Sequence, residues 1–290
     1  MIKRAKYVMR GLAFARYTTE WFEFLQTPGM AYIVNHHPHL FHKLQRPYLH
    51  CASSTTERLK TLKAHYQFVQ TRFSPSLMKE VFAPAGKVLF EMDVKDAGVL
   101  EARLLLGNMQ KEGDLTISLR KKPSNQRVGF LSFSVWKCDQ DRPEIFIGGL
   151  QGDKQTAEAE VVAFTRGLYG LRPKALLFFI LQQLAAAWQI QNIRAVSDEK
   201  HIYRHFQTRR EVNASYDAFW AESGGTLAAD KFFDLPPAFV LREISTIRVN
   251  KRQLYRRRYA MLDGIAAQIQ KRVSGAEESP IENDGNKVAA

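Results

Sequence analysis

The amino-acid sequence predicts a mixed fold, α+β passing into α/β, in which an antiparallel meander continues into a mixed sheet. Three observations indicate this. Apolar residues recur at helical spacing in the first 82 residues, they alternate from about residue 87, and helical and strand patterns then succeed one another. We therefore expect a helical amino-terminal region at 1–82, an α/β domain at 83–273 that ends in a long basic helix, and a disordered tail at 274–290.

The amino-terminal region is predicted to be helical because aromatic and aliphatic residues recur three and four positions apart in 21–25 and 59–69. The polar run 53–57 is a capping start for the second of these helices. Between them lie four histidines within the seven residues 36–42. Pro38 interrupts the helix that would align them, and no cysteine or acid lies nearby, so we expect a surface loop and no metal site.

The middle of the chain predicts strands at 88–94, 114–120, 127–137 and 144–150, separated by short polar turns. Short connections favour antiparallel neighbours, and hence a meander. Gly148 and Gly149 interrupt the last strand, which is typical of a bulge or of a close backbone approach.

The second half predicts helices at 155–169, 173–188 and 214–222, with a strand at 190–196. Pro173 suits the first turn of a helix. The helix at 173–188 is apolar nearly all round, so it should be buried against the sheet. A last helix at 250–273 should present one apolar face, formed by Leu254, Met261, Ile265 and Ile269.

The composition indicates in which compartment the protein works and what kind of partner it binds. The two cysteines, Cys51 and Cys138, lie far apart, so a disulfide framework is not expected and a reducing compartment is. The best apolar run, 175–188, is shorter than the ~20 residues that cross a bilayer, and no signal peptide is recognisable. We therefore expect a cytoplasmic protein whose net charge of +13 attracts phosphates, whether of a cofactor, an anionic lipid or a nucleic acid.

Six strings of the sequence form a characteristic set when they are taken in their joint order, namely those at 147–152, 170–174, 195–197, 201–204, 216–220 and 251–259. Together they resemble the hallmark segments of the VirK/YbjX (DUF535) family. The resemblance implies a cytoplasmic protein of Gram-negative bacteria that supports virulence, antimicrobial-peptide resistance and envelope (lipid A) homeostasis, with no settled reaction or catalytic residues.

A candidate anion site lies where the helix at 173–188 begins. Gly170, Arg172 and Lys174 surround a helix start whose free amides favour anions. A meander followed by such a helix and a strand resembles the acyl-CoA-binding core of GNAT acyltransferases. That resemblance implies cofactor phosphates at the helix start and a tyrosine acid on the next helix, where Tyr203 would fall. The usual glycine-rich loop is absent, and in the alternative interpretation Gly170 merely ends one helix and Arg172 is solvated.

Two further groups could serve a ligand near the strand ends. Gln151, Gly152 and Lys154 follow the glycine pair and could hold a carbonyl or a phosphate, or could simply form a bulge and a loop. After the next strand, Asp198 or His201 could act as a general base and Tyr203 as an acid. His201 and His205 lack a third ligand at a suitable spacing, so no metal is expected there.

The last helix is strongly basic: nine Lys and Arg stand against two acids between residues 242 and 272. Arg252, Arg256 and Tyr259 should form a cationic face for lipid phosphates or nucleic acid, or an ordinary solvated face. Arg258 falls within the apolar arc, so either its stem extends to solvent or it meets a buried acid or a ligand anion.

Three functions follow from these features. The first is a GNAT-like acyltransferase that uses acyl-CoA on an envelope precursor or a protein amine. The second is a non-catalytic module that binds the anionic inner leaflet, peripherally, or an envelope biogenesis protein. Nucleic-acid binding is the least favoured, because no recognised motif accompanies the charge.

Overall fold

The computed structural model describes residues 14–107, 111–137, 142–203 and 215–274. Within these residues eight strands form one sheet in the order β1-β2-β3-β4-β5-β6-β8-β7. The strands are β1 Lys87–Val94, β2 Gly98–Leu106, β3 Leu115–Lys122, β4 Gln126–Lys137, β5 Pro143–Gly152, β6 Asn192–Val196, β7 Thr226–Leu227 and β8 Phe232–Leu235.

The helices of the described residues lie before, between and after these strands. They are α1 Ala15–Leu25, α2 Ala31–His36, α3 Thr55–Arg72, α4 Pro75–Phe82, α5 Glu158–Gly167, α6 Pro173–Ala187, α7 Tyr216–Glu222 and α8 Val249–Val273, with short 3-10 segments at Pro28–Met30, Pro38–Gln45 and Ile244–Thr246.

The sheet confirms the predicted fold class. Strands β1 to β5 are antiparallel neighbours, as expected of a meander. Strands β5 and β6 are parallel, and α5 and α6 form the long crossover that a parallel pair requires. Strands β8 and β7 complete the sheet in antiparallel pairing.

Some elements were not predicted. Strand β2 is buried over most of its length on both faces, so its sequence lacks the alternation that identifies a half-exposed strand. Helix α4 and strands β7 and β8 are also additions. The predicted helix at 155–169 is shorter than expected, because it begins at Glu158 and ends at Gly167.

The amino-terminal helices pack on the sheet, with α3 against β4. Ser54 and Glu57 form the expected capping box at the start of α3. Beneath this layer the fully buried carboxylate of Asp114 receives Lys43 Nζ at 2.5 Å and Tyr66 Oη at 2.6 Å. The helical region and the sheet therefore share one core, which is joined by a buried ion pair.

The basic helix α8 packs against α6 and β1. Its buried residues are Leu262, Ile265, Ile269 and Val273. The predicted apolar face is correct for the two isoleucines and wrong for Leu254, which is 38% exposed. That residue belongs to the first turns of the helix, where the contact with the core has not yet begun.

No helix in the described ranges is long and apolar enough to cross a membrane. The expected disordered tail lies outside the described residues except for Ser274, as do Cys138 and His205.

Candidate functional site

The parallel pair β5 and β6 separates before β5 ends. Their pairing runs from Glu144 and Asn192 to Ile147 and Ala195, whereas β5 continues alongside β4 to Gly152. The register between β4 and β5 shifts at Gly148, which is a bulge of one residue. We call the region beyond this point, where β5 is no longer paired with β6, the strand fork. It lies at the carboxyl end of the strands, where ligands bind in α/β sheets.

Gly148 and Gly149 lie directly against Glu112, a residue of the turn before β3. A Cβ on Gly148 would collide with the Glu112 backbone, and one on Gly149 would collide with the Glu112 carboxylate. The two glycines therefore allow a carboxylate to lie directly across the bulge of β5.

Glu112 and His201 form a buried acid and imidazole pair at the strand fork. Glu112 is fully buried and His201 is 6% exposed. Glu112 Oε1 accepts a hydrogen bond from Gln151 Nε2 at 2.8 Å and lies 3.6 Å from His201 Nε2. Within the described residues, Glu112 Oε2 and both ring nitrogens of His201 have no hydrogen-bond partner. Buried polar atoms are rarely left unpaired, so this pair has capacity for a further group.

Tyr216 brings its hydroxyl into the strand fork from the first residue of α7. Leu150 N donates to Tyr216 Oη at 3.4 Å, and the tyrosine ring stacks on His201 with centroids 4.9 Å apart. Burial, followed by the negative charge of Glu112, raises the pKa of Tyr216 well above its ordinary value. The hydroxyl therefore stays protonated at neutral pH.

Asp198 holds the start of α7 in place. Its Oδ1 accepts from Tyr216 N at 2.8 Å, and its Oδ2 accepts from Ser215 Oγ at 2.7 Å. Asp217 Oδ1 in turn accepts from Asp198 N at 2.8 Å. This geometry makes Asp198 a positioning residue for Tyr216 rather than a free base.

Further along α7, Trp220 is fully buried and its Nε1 donates to Val196 O at 2.9 Å. Its ring also stacks on that of Tyr216, with centroids 6.2 Å apart, so α7 links the end of β6 to the Tyr216 side chain.

Loop contacts hold the two sides of the site together. His50 and His201 form an isolated antiparallel β-bridge, and Cys51 N donates to Lys200 O at 2.9 Å. Leu49 N donates to Lys111 O at 2.7 Å. The amino-terminal region thus holds the backbone at Lys111 and Lys200, the residues that directly precede Glu112 and His201.

Tyr203, predicted as the acid, lies in a turn and not on a helix. Its ring is 5.6 Å from that of His201, and Lys111 Nζ lies 5.3 Å from the Tyr203 centroid. Burial and the charge of Glu112 raise the pKa of Tyr203. The tyrosine that follows β6 on a helix is Tyr216, which sequence reasoning missed as a site residue.

The three residues after the glycine pair have different surroundings. Gln151 belongs to the site through its bond to Glu112. Gly152 and Lys154 are exposed at the end of β5 and in the loop beyond it.

At Gly170 the backbone amides are already engaged. Gly170 has a φ of 79°, its N donates to Thr165 O at 2.8 Å, and Leu171 N donates to Leu168 O at 3.1 Å. This is how a glycine ends a helix, here α5. From α8, Arg258 donates through Nε to Tyr169 O at 3.0 Å and through Nη2 at 2.6 Å. The Arg258 guanidinium therefore meets a backbone carbonyl.

The two cations of this corner differ in environment. Arg172 is exposed and pairs with Glu222 Oε2 at 3.2 Å. Lys174 is half-buried, and this burial lowers its pKa. Any phosphate here would contact side chains rather than the amides of Gly170 and Leu171.

Two residues of the basic helix that were predicted to bind ligands, Arg252 and Tyr259, instead make hydrogen bonds to the segment that precedes the helix. Arg252 donates to Ser245 O and Ile247 O, both at 2.9 Å. Tyr259 Oη accepts from Arg242 N at 3.0 Å and donates to Arg242 O at 2.9 Å. Arg256 is exposed.

In the histidine-rich segment, His36 Nδ1 contacts Tyr32 O and His37 Nε2 contacts Phe82 O, at 2.8 and 2.7 Å. No group of three or more His, Cys, Asp or Glu in the described residues could hold a metal ion.

Comparisons with known proteins place the chain in a family. The model of the family described as "Protein of unknown function (DUF535)" matches residues 1–271. The uncharacterized protein YbjX of Escherichia coli (strain K12) is 32% identical over 274 residues, which is 92% of this chain and 82% of that protein. An uncharacterized protein of Haemophilus influenzae is 27% identical over 219 residues, 75% of this chain and 72% of that one.

Among solved structures, a cAMP-binding acyltransferase from Mycobacterium smegmatis aligns with a TM-score of 0.33 and 9% identity. The alignment covers 77% of this chain and 63% of that one. The family match and the similarity to YbjX confirm the relationship that the sequence strings indicated, and the chain belongs to the DUF535 family.

Proposed function

We propose that the chain is an acyltransferase of the GNAT type whose reaction takes place at the strand fork. One observation carries this proposal: the protonated hydroxyl of Tyr216 lies 3.4 Å from the amide of Leu150, and the unpaired imidazole of His201 stacks against the same ring. An acid, a base and a backbone donor are thus available at one point of the sheet.

The residues at the strand fork suit an acyl thioester. When bound, acyl-CoA would supply an acyl group that is already activated for transfer. The amide of Leu150 could donate to the acyl carbonyl oxygen, because its contact with Tyr216 is long and outside the sheet ladder. Lys174 and Arg172 are the cations available to phosphates, in place of the engaged amides at Gly170.

His201 is the base in this proposal. Its Nδ1, the ring nitrogen that does not face Glu112, would take a proton from an amine or hydroxyl of the acceptor, while Glu112 Oε1, 3.6 Å from Nε2, would stabilise the resulting imidazolium. Gln151 keeps the Glu112 carboxylate in position.

Tyr216 is the proton source. As the acyl carbon bonds to the acceptor and the thioester C–S bond breaks, Tyr216 Oη would donate its proton to the leaving sulfur. The Tyr203 ring also packs against His201, with centroids 5.6 Å apart, and would help to position the acceptor.

The acceptor class follows from the family resemblance, which implies roles in virulence, antimicrobial-peptide resistance and lipid A homeostasis. We therefore propose an amine or hydroxyl of an envelope precursor, or a protein amine, as the acceptor.

Ligand binding tests the donor directly. Acetyl-CoA or decanoyl-CoA, titrated against the purified full chain, should raise the Tm by a few degrees, since a ligand at ~100 Kd stabilises by about 2.7 kcal/mol. Lys174→Ala should reduce the shift, whereas Lys60→Ala, an exposed lysine on α3, should leave it unchanged. If neither thioester shifts the Tm of the wild-type chain, the acyl-CoA proposal is wrong.

A second candidate is the non-catalytic module that binds the anionic inner leaflet or an envelope biogenesis protein. Exposed cations on α8, such as Arg256 and Arg257, favour it. It predicts no thermal shift with either thioester and no effect of changes at the strand fork on binding.

A further inference from the structure

One surface of the chain combines exposed aliphatic side chains with cations. Val240, Leu241 and Val249 are 72%, 55% and 76% exposed, among the most exposed large apolar residues in the described part of the chain. They lie on residues 240–248, which we call the strap, and on the first turn of α8. Large apolar residues that stay in water within one short stretch of the chain point to an interaction surface.

The strap is held along α8 by contacts near both of its ends. Tyr259 binds the backbone of Arg242, and Arg252 binds the carbonyls of Ser245 and Ile247. Val240 and Leu241 therefore lie beside the middle of α8, while Val249 lies at its start.

Cations surround these aliphatic residues, and all of them are exposed: Arg242, Arg248, Lys251, Arg256 and Arg257. Val249 and Arg256 are seven residues apart, so they lie on one outward face of the helix. The one acid of the strap, Glu243, accepts a hydrogen bond from Ser245 Oγ at 2.5 Å. The surface is therefore apolar and positively charged.

We infer that the strap and the start of α8 form a docking surface for an anionic lipid bilayer. The aliphatic residues would enter the region between headgroups and acyl chains, and the arginines and Lys251 would contact lipid phosphates. A lipid bilayer can contact both the aliphatic side chains and the cations of this surface, whereas nucleic-acid phosphates would contact only the cations. This inference is independent of the acyltransferase proposal, although a bilayer would present envelope precursors.

Sedimentation with vesicles tests the inference on the full chain. The wild type should bind vesicles of phosphatidylcholine with 30 mole per cent phosphatidylglycerol at least tenfold better than phosphatidylcholine alone, roughly as expected for several cations near a charged surface. The triple variant Val240→Ser, Leu241→Ser, Val249→Ser should lose at least tenfold of this binding. Arg248→Glu with Arg256→Glu should lose a similar amount.

Matched controls lie on other surfaces. Val161→Ser with Val162→Ser changes two exposed valines on α5, and Lys60→Glu with Lys79→Glu changes two exposed lysines on the amino-terminal helices. Both controls should bind anionic vesicles like the wild type, and so should Tyr216→Phe, which separates this inference from the reaction at the strand fork.

Three results would overturn the inference. The first is equal binding to neutral and anionic vesicles, and the second is a triple serine variant that binds like the wild type. The third is binding of double-stranded DNA at physiological salt that is tighter than vesicle binding and unaffected by the serine changes, which would identify nucleic acid as the ligand.

Discussion

At the scale of single residues, the proposed chemistry depends on how closely Glu112 can approach β5. The sequence indicated Gln151 and His201 because both lie at strand ends, where ligands commonly bind. It did not indicate Glu112, because an acid in a turn before a strand looks like an ordinary solvated residue. Its burial depends on Gly148, which is distant in sequence and adjacent in space.

Replacing Gly148 by alanine tests this packing. The added methyl group would strike the Glu112 backbone, and overpacking of this kind costs about 1–3 kcal/mol. We expect a lower free energy of unfolding by urea denaturation. Gly152→Ala is the control, because a Cβ there meets nothing within 4 Å; equal stability of the two variants would show that the bulge is not tightly packed.

At the scale of elements, the periodicity of the sequence predicted most helices and strands, but it could not show how they meet. The string at 216–220 is predictable as a family feature and as part of a helix, yet the position of Tyr216 depends on Asp198, which holds the first turn of α7. Likewise, Arg258 was seen to be out of place on the apolar arc. Only the structure shows that Tyr169 O is its partner.

Variants of Arg258 and of its neighbour Arg257 test the contact between α8 and the carbonyl of Tyr169. Arg258→Ala removes two hydrogen bonds to Tyr169 O and should cost about 1–3 kcal/mol by leaving a partly buried carbonyl unpaired. Arg257→Ala removes an exposed side chain and should change stability by less than about 0.5 kcal/mol. Equal Tm values for the two variants would contradict a joining role for Arg258.

At the scale of the whole molecule, the amino-terminal helices and the sheet are joined through Asp114. Burial raises the pKa of this carboxyl, but the charges of Lys43 and His65 and the hydrogen bonds from Lys43 and Tyr48 outweigh burial and lower the pKa to about 2. The sequence predicts the change from helices to strands, which in the structure falls between Phe82, the end of α4, and Lys87, the start of β1. It did not predict the ion pair, because Lys43 and Asp114 lie 71 residues apart.

Removing one member of this pair should separate the two regions or unfold the chain. Asp114→Ala leaves Lys43 buried without its partner, and such a loss costs about 3–5 kcal/mol. Glu80→Ala breaks the surface pair with Lys87 and should cost about 0–1 kcal/mol. Urea unfolding compares the two, and a small effect of Asp114→Ala would show that the ion pair does not hold the regions together.

The pH dependence of stability should report His65. Burial lowers the pKa of His65 to about 4, and its Nδ1 accepts from Val135 N at 3.1 Å. Between the ordinary histidine pKa of about 6.5 and the folded pKa of about 4, the unfolded chain binds a proton at His65 that the folded chain does not. The free energy of unfolding therefore falls by up to about 1.4 kcal/mol for each unit by which the pH is lowered through this range. Above about pH 6.5 this contribution is constant.

The Asp114 contribution has a different pH window. Because the folded pKa of Asp114 is lowered, its stabilisation is complete above about pH 4 and is lost as the pH falls towards 2. His65→Asn keeps an acceptor for Val135 N and should flatten the curve between pH 6.5 and 4. If urea unfolding at pH 7, 6 and 5 gives parallel curves for wild type and variant, His65 does not titrate on unfolding.

If Tyr216 and His201 move protons at the strand fork, both residues are needed for thiol release from acetyl-CoA when a small amine, such as a lysine-containing peptide, is supplied as the acceptor. The wild-type chain should release thiol faster than buffer, whereas Tyr216→Phe and His201→Gln should each lose about 10²-fold or more of that rate. Tyr32→Phe, a tyrosine on α2 far from β5 along the chain, should keep the wild-type rate. Thiol release that is undetectable in the wild type, or unchanged in both site variants, would contradict the account.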